Sequence, residues 1–86
     1  MKASDLIGWI VEVEHPNHLG CLWLVTSSTE EPRRLRLHHN GMGGWWAYLL
    51  DVDGDDITLS IYDDMGQERI LCGEIVNRPT VSEVAQ

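Results

Sequence analysis

The sequence predicts an all-β fold, either a small antiparallel barrel or a strongly bent sheet of five to six strands. Segments rich in β-branched and aromatic residues recur roughly every eight to twelve residues, turn residues separate them, and helical periodicity is weak. With 86 residues and 43% hydrophobic content, the chain has the size and composition of one globular domain. We therefore expect a single domain over residues 1–78 and a C-terminal tail over 79–86.

The first three strands are predicted from their residue patterns. Residues 6–14, "LIGWIVEVE", are rich in β-branched residues, and the turn "HPNHLG" follows them. Residues 19–27, "LGCLWLVTS", are apolar on both faces in the middle, which is typical of a central strand. Residues 33–39 alternate, with Leu35 and Leu37 on one face and Arg34, Arg36 and His38 on the other. The glycine-rich stretch "NGMGG" is expected to be a loop.

A hairpin is predicted at Asp53 and Gly54, because this dipeptide between two β-rich segments favours a two-residue type I′ turn. The turn fixes the register, and a slip of one residue would expose the apolar face of the second strand. The predicted inward pairs are Leu50 with Ile57, Tyr48 with Leu59 and Trp46 with Ile61. The predicted outward pairs are Asp51 with Asp56, Leu49 with Thr58 and Trp45 with Tyr62.

A second hairpin is expected at "DDMG", residues 63–66, which would place Leu59 beside Ile70 and Ile57 beside Cys72. In the tail, Thr80 and Glu83 have the spacing of a capping box, which favours one short helical turn. In strand number and loop lengths, this layout resembles small SH3-like barrels.

The predicted register places an apolar patch with acidic surroundings on the outer face of the sheet. Tryptophan and tyrosine are frequent among the residues that dominate protein interfaces, so we interpret this patch as a partner-binding surface. Its apolar residues are Trp45, Leu49, Tyr62 and Leu71. Its acidic residues are Asp51, Asp55, Asp56, Asp63 and Asp64.

The net charge of −8 indicates what kind of partner to expect. Seven acids and no base lie between residues 51 and 68. Nucleic-acid binders are normally basic, since phosphate neutralisation supplies much of their affinity, so direct nucleic-acid binding is disfavoured. A protein partner with a basic surface fits the charge better.

A basic segment offers a second hypothesis. Arg34, Arg36 and the nearby tryptophans could form an adaptor or nucleic-acid module of the SH3-like kind, gripping a single strand by charge and stacking. The competing interpretation is that the two arginines form ion pairs with Glu12 and Glu14 or with the acidic hairpin.

A third hypothesis is metal binding through His15, His18, His38 and His39, since imidazole is a common zinc ligand. However, the sequence has no established zinc-ligand spacing. "DVDGDD" also fails as an EF-hand loop, because Asp56 and Tyr62 occupy the positions that need glycine and glutamate. We therefore expect no cofactor.

No motif for catalysis is present, and we expect the protein not to be an enzyme. Cys21 or Cys72 with His38 or His39 would make a nucleophile pair only if the fold brought thiol and imidazole into hydrogen-bond reach. No apolar segment approaches the roughly 20 residues of a membrane span, and the N-terminus lacks the features of a signal peptide.

These features predict a cytoplasmic protein with reduced thiols, as a monomer or homodimer. In size, acidity and lack of catalytic motifs, the chain resembles small acidic inhibitors encoded by phages and mobile elements, including anti-CRISPR and immunity proteins. That resemblance implies a role in blocking a basic surface of a bacterial target.

Overall fold

The computed structural model describes residues 1–39 and 43–79. They form a closed barrel of six antiparallel strands in sequence order, which confirms the all-β prediction. β1 pairs with both β2 and β6 and so closes the barrel. A short 3-10 helix spans Ala3–Leu6, and the strands are β1 (Ile10–Glu12), β2 (Leu22–Glu30), β3 (Arg33–His39), β4 (Gly43–Asp53), β5 (Asp56–Tyr62) and β6 (Glu68–Asn77).

Both ends of the barrel are filled by apolar side chains. At one end, Ala3 and Leu6 of the 3-10 helix are fully buried. The helix is held there by Glu30, whose carboxylate accepts hydrogen bonds from the backbone N–H groups of Ala3 and Ser4 at 2.9 and 3.1 Å. At the other end, the rings of Trp23 and Trp45 pack edge to face with centroids 5.3 Å apart. The core therefore extends along the whole barrel.

The prediction for β3 is confirmed in both its bounds and its faces. Leu35 and Leu37 are fully buried in the core. Arg34, Arg36 and His38 lie on the outer face, where they pair with residues of β2 and β4.

The predictions for β1 and β2 are wrong at their boundaries. Leu6 does not begin a strand; it ends the 3-10 helix and enters the core. Gly8 follows with φ of 94°, a left-handed conformation that interrupts an extended chain. β1 is therefore limited to three residues, and β2 begins at Leu22, three positions later than predicted.

The β4–β5 turn lies one residue beyond its predicted position. Asp53 pairs with Asp56, so the turn residues are Gly54 and Asp55. Gly54 has φ of 61°, and no described non-glycine residue has a positive φ. A type I′ turn at Asp53 and Gly54 would require a positive φ at Asp53. In the observed turn, only the first central residue, Gly54, has a positive φ. This is the pattern of a type II′ turn.

A β-bulge at Leu50 reverses the predicted faces of β4. The register shifts between Leu49 and Asp51, so that Leu49 pairs with Leu59 and Asp51 with Thr58. An extra residue on one strand inverts the alternation beyond it. The inward residues of β4 are consequently Trp45, Ala47 and Leu49, whereas Trp46, Tyr48 and Leu50 were predicted.

The β5–β6 register is also one residue away from the prediction. Tyr62 pairs with Glu68, which leaves five residues in the connection instead of four. Leu59 therefore faces Leu71 rather than Ile70. On β5 itself, the predicted inward face of Ile57, Leu59 and Ile61 is confirmed.

β1 is too short to cover the full length of β6. Its three residues pair with residues 74–77 of β6. Along residues 68–73, β5 is the strand that pairs with β6 in the described part of the chain. The closure is tight at Gly73, because a Cβ there would lie 2.6 Å from the carbonyl oxygen of Glu12 and 2.9 Å from Cβ of Val13. Only a residue without a side chain allows this approach.

The predicted glycine-rich loop is wrong at Gly43 and Gly44, which begin β4 and pair with His39 and His38. Its first three residues, 40–42, and the predicted helical turn at Thr80 and Glu83 lie outside the described residues. Within residues 1–39 and 43–79, no helix has the length and apolar character that a membrane span requires.

Candidate binding surfaces

The predicted outer apolar patch does not form. Trp45 and Leu49 are only 7% and 4% exposed, because the bulge at Leu50 turns them into the core. Leu71 is half-buried against the core. Tyr62 is the one member that is exposed as predicted, at 58%. The apolar anchors assigned to this surface are therefore wrong for Trp45 and Leu49.

Asp63 has a structural role rather than an open surface position. One carboxylate oxygen accepts hydrogen bonds from the backbone N–H groups of Met65 and Gln67, both at 2.9 Å. The other accepts a hydrogen bond from Nε of Arg69 at 3.2 Å. The two backbone donors and the guanidinium lower the pKa of Asp63. These contacts hold the β5–β6 turn.

The remaining predicted acids are exposed but differ in their surroundings. Asp55 forms an ion pair with Arg78 at 3.0 Å. The guanidinium of Arg78 also donates to the carbonyl oxygen of Gly54 and lies 5.1 Å from the ring centroid of Trp9. Asp51 and Asp64 are exposed on β4 and in the β5–β6 turn. The predicted pairing of Asp51 with Asp56 is wrong, since Asp56 faces Asp53.

Four carboxylates on four neighbouring strands form a continuous cross-strand series, which we term the acidic row. Asp53 pairs with Asp56, Asp56 with Glu74, and Glu74 with Glu12. All four residues are exposed. Neighbouring strands lie about 4.8 Å apart, so the row extends over roughly 14 Å. Like charges directly opposite each other destabilise a sheet. Among the described residues, no basic side chain lies within ion-pair distance of this row.

The acidic row leads directly onto exposed apolar side chains, which we term the apolar ledge. Glu12 pairs with Leu22 on β2, and Ile10 pairs with Leu24. Leu22 and Leu24 are 47% and 41% exposed, and Ile10 is half-buried. Their neighbours Trp23 and Val25 point inward, so β2 has apolar residues on both faces. The sequence predicts a central strand here, and β2 does pair on both sides, with β1 and β3, but its outer face is exposed.

A third surface combines arginines with aromatic rings, and we term it the arginine–aromatic face. On β3 and β4, Cζ of Arg34 lies 4.7 Å and Cζ of Arg36 lies 5.9 Å from the ring centroid of Trp46. Tyr48 is the cross-strand partner of Arg34, and its ring meets that of Tyr62 edge to face at 5.8 Å. The predicted pairing of these arginines with Glu12, Glu14 or the acidic hairpin is not found among the described residues.

The four histidines do not converge on one point. His15 and His18 lie in the β1–β2 loop with ring centroids 4.4 Å apart, and both pack against Trp45. His39 packs against Trp23 instead, and His38 is on the outer face of β3. In the described part of the chain, no group of three or more His, Cys, Asp or Glu side chains is placed to hold a metal ion.

His15 helps to cover the end of the barrel next to Trp45. Its Nδ1 accepts a hydrogen bond from the backbone N–H of Asn17 at 3.0 Å, which requires that nitrogen to be unprotonated. Burial, followed by the charge of His18, lowers the pKa of His15. The indole Nε1 of Trp45 is buried and has no hydrogen-bond partner among the described residues.

The two cysteines are free thiols, and the surroundings of Cys21 oppose thiolate formation. Burial and the neighbouring carboxylate of Glu12, whose oxygen lies 3.8 Å from Sγ, raise the pKa of Cys21. A nucleophilic cysteine needs the opposite shift. No thiol is hydrogen-bonded to an imidazole among residues 1–39 and 43–79.

Comparisons with known proteins give no relative for this chain: no family model, no curated protein and no solved structure matches it.

Proposed function

We propose that this protein is a non-enzymatic binding protein that docks a basic, amphipathic surface of another protein. The observation that carries the proposal is the register of the acidic row and its continuation into Leu22. The role follows the one expected from the sequence, but the apolar anchors are Leu22 and Leu24 in place of Trp45 and Leu49.

The acidic row supports this proposal through electrostatics. Asp56 and Glu74 each have a carboxylate opposite them on both neighbouring strands. Bringing lysine or arginine side chains between these carboxylates relieves their repulsion, so a basic partner gains more than from isolated surface acids. Complementary charge also raises the rate of encounter with such a partner.

The apolar ledge adds apolar surface that a partner can bury, which the acidic row does not offer. Leu22 and Leu24 bury surface only when a partner covers them, and burial of apolar area stabilises a complex by about 25 cal/mol per Å² before the costs of association. A partner with basic residues beside apolar ones would contact Glu12 and Leu22 together. Within this proposal, we favour the class of small acidic inhibitors of phages and mobile elements that occupy a basic groove.

The test is titration of a fluorescently labelled helical peptide with arginine on one side and leucine on the adjacent side. Glu74→Lys is expected to weaken binding about tenfold, because it reverses the charge at the centre of the acidic row. Asp64→Lys makes the same charge change at an exposed site outside the row and serves as its control. Equal losses in both variants would show that only net charge matters, which contradicts the proposal.

The apolar contribution is tested in the same titration. Leu22→Ser removes a leucine of the apolar ledge that is 47% exposed. Its control is Leu50→Ser, which removes a leucine of β4 that is 42% exposed. We expect weaker binding for Leu22→Ser alone. Unchanged binding in Leu22→Ser would exclude the ledge from the interface.

A further inference from the structure

We infer that the arginine–aromatic face is a second, separate binding site, and that its ligand is a single-stranded nucleic acid. The face lies on β3, β4 and β5, and consists of Arg34, Arg36, Trp46, Tyr48 and Tyr62. This face shares no residue with the acidic row or the apolar ledge. The inference about its ligand is therefore independent of the function proposed above.

The charge on this face is unusual for so acidic a chain. The sequence has 14 acidic and 6 basic residues, so a carboxylate is the common neighbour for any arginine. Arg69 and Arg78 have such partners, namely Asp63 and Asp55. Among the described residues, Arg34 and Arg36 have no carboxylate within ion-pair distance and lie over Trp46 instead. Their guanidinium groups thus keep donors for an anionic ligand.

Local contacts hold the two guanidinium groups in place. Nε of Arg34 donates to the hydroxyl of Thr29 at 3.2 Å. Cζ of Arg36 lies 5.9 Å from the ring centroid of Trp46, so the ring restricts its guanidinium group as well. The backbones of Arg34 and Arg36 lie roughly 7 Å apart along β3, and both guanidinium groups lie over the same Trp46 ring. Cations held in this way bind an anion with a smaller entropic cost than free surface arginines.

The aromatic rings indicate which anion fits. Trp46 and Tyr62 are 38% and 58% exposed, so both present ring surface to solvent. The carboxylates of an acidic peptide would form ion pairs with the arginines, but an acidic peptide does not in general carry flat groups that stack on the rings. A single strand offers phosphates to the arginines and flat bases to the rings, which is the recognition pattern of sheet surfaces that bind single strands.

The carboxylate of Glu68 indicates where the phosphates and the bases of the ligand lie on this face. Glu68 lies opposite Tyr62 and accepts a hydrogen bond from the hydroxyl of Ser60 at 2.7 Å. Its charge disfavours phosphate near that end of the face. We therefore place phosphates over Arg34 and Arg36, and bases toward Tyr62.

The test is fluorescence anisotropy with a labelled oligothymidylate of about ten nucleotides and the full-length protein. Since two phosphates are contacted, the logarithm of the binding constant should fall against the logarithm of salt concentration with a slope of about −1.4. Arg36→Gln and Arg34→Gln should each weaken binding and reduce that slope by about 0.7. Tyr62→Ala should weaken binding and leave the slope unchanged.

The matched control is Arg33→Gln, which removes the same charge from the same strand. Arg33 contacts the main-chain carbonyls of Met1 and Leu50, away from the face. Its variant should bind as the native chain does, and circular dichroism should show the same fold for every variant. Failure to bind at low salt, or equal loss in all three arginine variants, would overturn the inference. Equal competition by polyglutamate at matched charge would also overturn it, because it would show that the face binds acidic chains in general.

Discussion

The carboxylate of Asp63 satisfies three donors in the β5–β6 turn, two of them backbone N–H groups. We expect Asp63→Ala to lower the thermal midpoint, because it leaves the N–H groups of Met65 and Gln67 without acceptors. Asp63→Asn should cost less, since the amide oxygen still accepts from both. Asp64→Ala, an exposed neighbour in the same turn, is the control. Equal shifts for Asp63→Ala and Asp64→Ala would contradict this role.

The same carboxylate makes stability depend on pH in the acid range. Its pKa is lower in the folded protein than its ordinary value of 3.8, so the unfolded chain takes up the proton first as the pH falls. The contribution of Asp63 to the free energy of unfolding is complete above about pH 4. It is lost as the pH decreases through the pKa of Asp63 in the folded protein. Unfolding curves at decreasing pH should therefore show a shallower decline for Asp63→Asn. A decline as steep as in the native protein would be inconsistent with the prediction.

Protonation of His15 should also lower the stability of the folded protein as the pH falls, but in a higher pH range than protonation of Asp63. Its pKa is lowered on folding from the ordinary 6.5, so protonation favours the unfolded chain. Stability is then greatest above that value and decreases as the pH falls from it toward the folded pKa. The free energy of unfolding, measured between pH 7.5 and 5, should decrease less in His15→Gln. An identical pH dependence would show that the imidazole is not buried beside Trp45 in solution.

At the level of strands, Gly73 is the position at which barrel closure is most sensitive to substitution. Gly73→Ala places a methyl group against the Glu12 backbone, and a main-chain atom cannot move aside as a flexible side chain would. We expect a loss of about 1–3 kcal/mol in the free energy of unfolding, typical of overpacking. Cys72→Ala, on the exposed side of the same strand, is the control for denaturant titrations. Similar values for the two variants would mean that β1 and β6 are further apart than described.

The comparison of β4 with β5 shows how far sequence patterns determine a strand. On β5, Ile57, Leu59 and Ile61 alternate with polar residues, so only one face can be buried and the prediction was correct. On β4, "WWAYLL" is apolar in both alternations. Either face satisfies the hydrophobic pattern there, and the choice depends on the bulge at Leu50, which no local signal marks. The predicted surface was wrong for this reason.

The candidate surfaces were predictable in part. Alternation identified the outward position of Arg34 and Arg36, and the crowding of aspartates near residue 53 was plain from the sequence. Glu12 and Glu74 were missed as members of one surface, because their alignment exists only when β1 pairs with β6. Contacts between strands so distant in sequence depend on barrel closure and not on local pattern.

For the protein as a unit, the acidic row should limit stability through repulsion. Glu74→Gln removes the charge between Asp56 and Glu12 and should raise the free energy of unfolding by a few tenths of a kcal/mol. The gain should shrink as salt is added, because screening already weakens the repulsion. Asp64→Asn has the same charge change outside the row and should show no such gain. An equal gain in both variants would assign the effect to net charge alone.

The brevity of β1 has a consequence for solubility. Because β1 pairs only with residues 74–77 of β6 and packs closely against Gly73, the stretch from Glu68 to Cys72 resembles the margin of an open sheet, where a foreign chain can add and begin a fibril. Glu68 and Arg69 stand at the start of that stretch, and charged side chains there discourage such growth. Loss of these charges through mutation is expected to make the protein prone to aggregate in concentrated solution.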